Sequence, residues 1–343
     1  MKNFKDEYYK ILSDNIPDFL KSYVNTKEMQ KQDGISVTCG TIYSKLFDEI
    51  WYSSLDHSIA VALVIWHFTK DKKQTLAGLF HDIATPTFKH AIDFMNGDYK
   101  TQESTEEKTN IILKNSKEIT NLLYKDNILL NEVKDYKIYP IADNDTPRLS
   151  ADRLEYTLSN GLGATRRLFN INDAMKMYND IEIQINEDGI VELGFIHPDI
   201  AIQFVHYMSI LSREYRSPKN KYTMEFLAQT VKKLVEREII DINDLYKLSE
   251  NKLMDLILES DSDISDNFKI WLNLTDIYES DELIPDRFCV DVNPKARYIN
   301  PLVRYHGSYK RIADISKEAF KDIEEAKNYK TKKYIYSKIK KID

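Results

Sequence analysis

The chain has 343 residues, a formal charge of −7 and 42% hydrophobic residues, with only nine glycines and nine prolines. That is room for one large domain or two ordinary ones with a sizeable core. The acidic surplus argues against an extended nucleic-acid interface, no run of about 18 apolar residues offers a membrane span, and two distant cysteines, Cys39 and Cys289, give no disulfide framework.

Residues 5–24 read as one amphipathic helix. The N-terminus lacks the apolar stretch and small-residue cleavage site of a signal peptide, so the cytoplasm is the expected location. After a break at 32–40, apolar positions from Thr41 to Lys70 recur at helical spacing: Ile42, Leu46, Ile50, Ile59, Leu63, Trp66. Residues 73–82 form a short helix, and 103–136 read as one or two more. A polar loop, ADNDTPR (142–148), precedes a helix that starts at Ser150. Ile181, Ile183 and Ile185 alternate with polar residues, and Asp188-Gly189 is a favoured two-residue turn, so 181–195 reads as a hairpin. Helices resume near 199–215, 222–237, 242–259 and 265–278. RFCVDV (287–292) alternates as a strand, with ARYINPLV (296–303) as its expected partner. The charged tail from Ile312 to Ile339 reads as helix. The expectation is a mainly α protein: an N-terminal helix (1–30), a helical core with the hairpin (31–240), and a helical and strand-bearing C-terminal part (241–343).

Four of the seven histidines fall in two stretches, LDHSIAVALVIWHF (55–68) and GLFHDIATPTFKHAIDF (78–94). His81-Asp82 closes one helix and His57 opens another, and each helix has a face to bury. Imidazole and carboxylate together suit a borderline divalent metal such as Mn, Fe, Ni, Co or Zn, with Mg also admitted. Asp152, in LSADRLEYTLSN (149–160), is the candidate for the further carboxylate. Taken singly, His57 is an ordinary helix-start residue and Asp152 an acid favoured by a helix dipole.

His57, the His81-Asp82 pair and a distant Asp152 in that order resemble the HD superfamily of metal-dependent phosphohydrolases. The closer resemblance is to its deoxynucleoside triphosphate triphosphohydrolase (dGTPase-like) branch. There the segments HSIAVA (57–62), HDIATPTFKH (81–90) and DRLEY (152–156) have counterparts, and KARYINPLV (295–303) is similar to a stretch near the end of such proteins. The resemblance implies an HD-type helical core with one divalent metal per chain on His57, His81, Asp82 and Asp152, since only His90 lies between Asp82 and Asp152. It implies a homo-oligomer acting on a small-molecule nucleotide. The sequence departs from the branch at Thr85 and Gln102, where histidines stand in the family. It departs also at Asn160, where an acid reads the sugar hydroxyl, and at Ser54 and Ala84.

The resemblance assigns His90 to phosphate contact or proton transfer, with Asp93 three residues on to orient it. Glu103 is read as a water-orienting group or acid, or else as a helix-start carboxylate. Arg153 can fork onto phosphate or pair with Glu155 or Asp152. Tyr156, Asn160 and Thr85 complete the expected substrate contacts, Tyr156 with core packing as its alternative. Lys295, Arg297, Arg304, Lys310 and Arg311 form a basic cluster that can hold polyphosphate or be a solvated face. The expected activity is hydrolysis of a deoxynucleoside triphosphate to nucleoside and triphosphate by hydroxide generated at the metal. The alternatives are hydrolysis of a monophosphate or cyclic nucleotide, or a non-catalytic nucleotide sensor.

Overall fold

The computed structural model describes residues 4–97 and 108–340, and Glu103 and Gln102 lie outside them. Helices dominate, as composition implied. In chain order they are α1 (Lys5–Leu12), α2 (Asp18–Val24), α3 (Lys27–Gln30), α4 (Ser54–Thr69), α5 (Lys72–Phe80), α6 (His90–Met95), α7 (Lys108–Asn115), α8 (Lys117–Lys125), α9 (Ala151–Ser159) and α10 (Ile171–Asn179). After a hairpin come α11 (Pro198–Tyr215), α12 (Pro218–Glu236), α13 (Glu250–Glu259) and α14 (Ser262–Leu272), and late in the chain α15 (Ile312–Ile315) and α16 (Lys317–Asn328).

Three helix starts decide where the site falls. Ser53 caps α4 with Asp56 in a reciprocal capping box, which places His57 in the first turn. Asp71 caps α5 by accepting from the Lys73 and Gln74 amides. Ser150 caps α9 by accepting from the Arg153 amide, which sets Asp152 in its first turn. α4 is buried on all sides from Ser54 to Ile65. It is therefore the central helix rather than an amphipathic surface one. α5 lies close against it because Gly78 has no side chain: a Cβ there would stand 2.2 Å from Ile65 Cδ1.

Two sheets complete the fold. The strands are β1 (Ile181–Ile185), β2 (Val191–Phe195), β3 (Tyr278–Ser280), β4 (Arg287–Val290), β5 (Leu302–Tyr305), β6 (Ser308–Arg311) and β7 (Tyr334–Lys340). One sheet has the order β1-β2-β5-β6, with β2 and β5 parallel; the other is β3-β7-β4, antiparallel. The first sheet braces the loop before α9. Buried Glu192 on β2 accepts from the Leu149 amide at 3.1 Å and holds Arg311 at 2.6 Å, while the Asn300 amide donates to Pro147 O at 2.8 Å. One apolar core surrounds α1, α4, α5, α9 and α11, and a second lies among α6, α12, α13, α14, β4 and β7.

Several sequence expectations change. The 5–24 helix breaks before Pro17, whose missing N–H and fixed φ suit a helix start rather than an interior. Residues 44–53 are irregular, so only the later part of the 41–70 pattern is α-helix. The hairpin turn is one residue longer than a two-residue loop, since Asn186 N–H donates to Ile190 O across Glu187, Asp188 and Gly189. β4 pairs with β7, not with 296–303, and the tail is helix only to Asn328 before it turns into β7.

Candidate metal centre

Three side-chain atoms converge where the ends of α4, α5 and α9 meet. His57 Nε2 lies 3.2 Å from His81 Nε2 and 3.2 Å from Asp152 Oδ1, and His81 Nε2 lies 3.7 Å from Asp152 Oδ1. Ligand atoms sharing one ion at bonds of about 2.0–2.2 Å sit about 3.0–3.5 Å apart. The second nitrogen of each ring is occupied. His81 Nδ1 donates to Gly78 O at 2.7 Å, and His57 Nδ1 donates to the Glu155 carboxylate. With Nδ1–H fixed in both rings, the neutral imidazoles that a metal requires would each turn an Nε2 lone pair toward the other and toward a carboxylate. That donor set is complementary to a cation and to little else.

The electrostatics agree. Burial works to lower the His57 pKa, yet the Glu155 and Asp152 carboxylates overcome it and raise it to about 10. Without a metal the site thus takes its positive charge as a proton on His57, and a bound cation would displace that proton from Nε2. Asp152 is pushed up by burial, but the His57 hydrogen bond and both imidazoles bring it down to about 2. Glu155 is fully buried and also accepts from the Tyr52 hydroxyl at 2.9 Å. An outer carboxylate that holds a histidine ligand in one tautomer is a usual part of such centres.

Asp82 stands at the edge of the trio. Its Oδ1 is 3.7 Å from His81 Nε2, while Oδ2 accepts from Lys89 Nζ at 2.8 Å. Burial would raise its pKa, but Lys89 and the histidines hold it well below the usual carboxylate range.

A cleft of about 280 Å³ opens onto these groups. His90 lines it, with Nδ1 2.8 Å from the buried Asp93 carboxylate. Tyr156, Asn160 and Tyr215 form one wall, with Asn160 Nδ2 donating to Tyr215 Oη at 3.0 Å. Arg153 reaches the cleft, but its guanidinium grips the loop before α9: Nη1 donates to Asn144 Oδ1 at 2.7 Å, and Nη2 lies 3.4 Å from Asp143 Oδ1. Of the five-residue basic cluster, Lys295 and Arg297 line the cleft. Arg297 lies 6.0 Å from the centre of the Tyr156 ring. Arg304 pairs with Glu182 and Arg311 with Glu187 and Glu192, on the sheet. Thr85 does not line the cleft. It sits buried behind the metal-facing turn, its N–H on Asp82 O and its carbonyl accepting from Lys31 Nζ at 2.8 Å.

Sequence reasoning left out Glu155, Lys89 and Tyr215 as site residues. Glu155 carried a signal, because it lies three residues past Asp152 on the same helix. Lys89 carried none, for its placement depends on an unusual turn.

The fold and this geometry define a mainly helical protein with a two-histidine, one-carboxylate group able to hold a metal ion. Comparison adds relatives to that picture. No family model matches the chain. It is 26% identical over 293 residues to the uncharacterized protein YdhJ of Bacillus subtilis strain 168, covering 83% of this chain and 84% of that one. Two crystal structures share the fold. A hypothetical protein from Aquifex aeolicus superposes with a TM-score of 0.64 at 16% identity, over 94% of this chain and 92% of that one. A phosphohydrolase from Bacteroides thetaiotaomicron VPI-5482 superposes with a TM-score of 0.65 at 13% identity, over 94% and 96%. Among the described residues no helix is long and apolar enough to cross a membrane.

Proposed function

We propose that the protein is an HD-type, metal-dependent phosphohydrolase acting on a nucleoside phosphate, with a deoxynucleoside triphosphate cleaved to nucleoside and triphosphate as the specific reading. The observation that carries it is the pair of Nε2 atoms 3.2 Å apart beside Asp152 Oδ1, each ring held from behind through Nδ1. His57, His81 and Asp152, with Asp82 at the edge, would hold one divalent cation. Such a cation acidifies water and polarises a phosphoryl oxygen.

The chain's own groups supply the rest. His90, with Nδ1 on Asp93, can carry a proton on Nε2 and give it to the departing oxygen, the arrangement of a general acid. Lys295 and Arg297 set positive charge in the lining of the cleft, Arg297 beside Tyr156, which suits a polyphosphate. Tyr156 offers a ring on which a sugar or base can pack, and Asn160 an amide beside it. Arg153 keeps the loop before α9 in place and thereby fixes Asp152. The fold shared with the Bacteroides phosphohydrolase is consistent with this chemistry.

The test is metal analysis of the purified protein, then product identification on a nucleotide panel with Mn²⁺. Triphosphate and free nucleoside from one deoxynucleoside triphosphate establish the specific reading. Inorganic phosphate from a monophosphate, or a linear product from a cyclic nucleotide, transfers it to another phosphate ester. Bound metal with no turnover of any nucleotide overturns the nucleotide-hydrolase reading and favours a sensor or a non-nucleotide phosphate ester.

A further inference from the structure

We infer that Lys89 is a phosphate-binding residue of this site, its ammonium shared between Asp82 and a phosphoryl oxygen of the substrate. The inference rests on the phosphohydrolase reading and adds to it a catalytic cation that the HD pattern does not contain.

The first observation is backbone strain. Phe88 and Lys89 are consecutive non-glycine residues at φ 63° and 42°, and Lys89 has ψ −118°. Each such conformation is costly and survives only where the surroundings enforce it. The surroundings do enforce it. Thr87 is tied to α13's approach, its N–H donating to Leu245 O at 2.8 Å and its hydroxyl to Leu248 O at 2.7 Å. The Phe88 ring is fully buried against Gly40, where a Cβ would lie 2.6 Å from Phe88 Cδ1. The turn then delivers Lys89 inward at the very start of α6, immediately before His90.

The second observation is where the side chain goes. A lysine on a helix start normally extends into water. This one is 8% exposed, lines the cleft, and brings Nζ to 2.8 Å from Asp82 Oδ2. A buried ion pair offers little net stability over an apolar pair of the same shape, so stability alone does not account for a strained turn that builds one. An ammonium carries three donors and no acceptor. Asp82 takes one, and among the described residues no other hydrogen bond to the ammonium is present. The remaining donors sit at the mouth of the metal group, beside His90, where a phosphoryl oxygen of a bound ligand would lie.

The experiment measures binding of inorganic tripolyphosphate and of inorganic phosphate to the Mn²⁺-loaded protein by calorimetry, with metal content and melting temperature measured alongside. Wild type, Lys89→Met and Lys89→Arg are compared. A charge-assisted hydrogen bond predicts that Lys89→Met weakens tripolyphosphate binding by about tenfold or more. Metal content stays unchanged, and Lys89→Arg recovers part of the affinity. If Lys89→Met binds tripolyphosphate like wild type, or if it loses metal in step with affinity, the lysine serves only to neutralise Asp82 and the inference is overturned. Wild-type protein that binds tripolyphosphate through Lys89 yet hydrolyses no nucleotide refutes the proposed activity and leaves the phosphate contact standing.

Discussion

Glu155→Gln separates the outer support of the metal centre from the ligands themselves. Glu155 is fully buried and receives three donors: His57 Nδ1, the Tyr52 hydroxyl at 2.9 Å and Ser159 Oγ at 3.4 Å. A glutamine has the same shape but one acceptor oxygen and an NH₂ in place of the other. Either His57 Nδ1–H or Tyr52 O–H then faces the amide NH₂, itself a donor, and loses its acceptor. A stranded buried donor costs about 1–3 kcal/mol. The His57 tautomer also loses the negative charge that favours Nδ1–H over Nε2–H. Outer partners of metal-binding histidines are worth about 10–100-fold in metal affinity, equal to about 1.4–2.7 kcal/mol. The assay is competition for Mn²⁺ or Co²⁺ against a chelator of known affinity, with circular dichroism to confirm the fold. A folded Glu155→Gln protein that binds metal within twofold of wild type would refute the argument, because it would mean that the His57 tautomer is set elsewhere.

Asp152→Asn removes the carboxylate that lies 3.2 Å from His57 Nε2. Wild type should melt later when Mn²⁺ is added, by the equivalent of about 2.7 kcal/mol at a hundredfold excess over Kd, and Asp152→Asn should show no such shift in a thermal scan. Glu250 is fully buried, and burial pushes its pKa from 4.5 up to about 8, against smaller pulls from Tyr43 and the Ser36 and Phe88 backbone. The folded protein thus holds that proton more tightly than the unfolded chain. Its contribution is complete below pH 4.5 and is lost as pH rises toward 8, with a slope approaching about 1.4 kcal/mol per unit. Urea unfolding at pH 5 and 7 should show wild type losing stability relative to Glu250→Gln; an equal change in both proteins excludes a proton on Glu250. Gly40→Ala places a Cβ 2.6 Å from Phe88 Cδ1 at φ +85°. It should lower stability by more than about 1 kcal/mol and weaken tripolyphosphate binding by disturbing the Lys89 turn. Unchanged affinity in a destabilised Gly40→Ala protein would disconnect the two.

Local signals made much of the fold readable. α5 and α9 fell where their periodicity placed them, and Ser150 caps α9 as read. The start of α4 did not, because Ile42, Leu46 and Ile50 happen to share helical spacing while 44–53 is irregular. The capping box of Ser53 and Asp56 was the better signal. β7 was hidden for another reason. YIYSKIK alternates with Ile335, Ser337 and Ile339 inward, but it follows a charged helix whose pattern seemed to continue. Its partner β4 lies over 40 residues away, a pairing no local pattern encodes. In the same way, parallel pairing of β2 with β5 joins segments more than 100 residues apart.

Legibility within the site divides along the same line. His57, His81 and Asp152 could be collected from residue type and order alone, since each sits at a helix end that the sequence marks. Charge placement could not. Five basic residues between 295 and 311 look like one cluster in the sequence, yet their strand and loop setting separates them. Lys295 and Arg297 precede β5 and meet the cleft, while Arg304 and Arg311 face acids of the sheet. Arg153, adjacent to Asp152, seems the natural phosphate ligand, but successive helical residues point about 100° apart, and this one turns back onto Asn144 and Asp143. A cation beside the metal group comes instead from Lys89, through a left-handed turn that helical periodicity cannot foresee. In a protein of charge −7, positive charge at the cleft is thus a product of backbone geometry more than of composition. For that reason the Lys89 and Gly40 substitutions probe the substrate side of the site more directly than any change in the basic run.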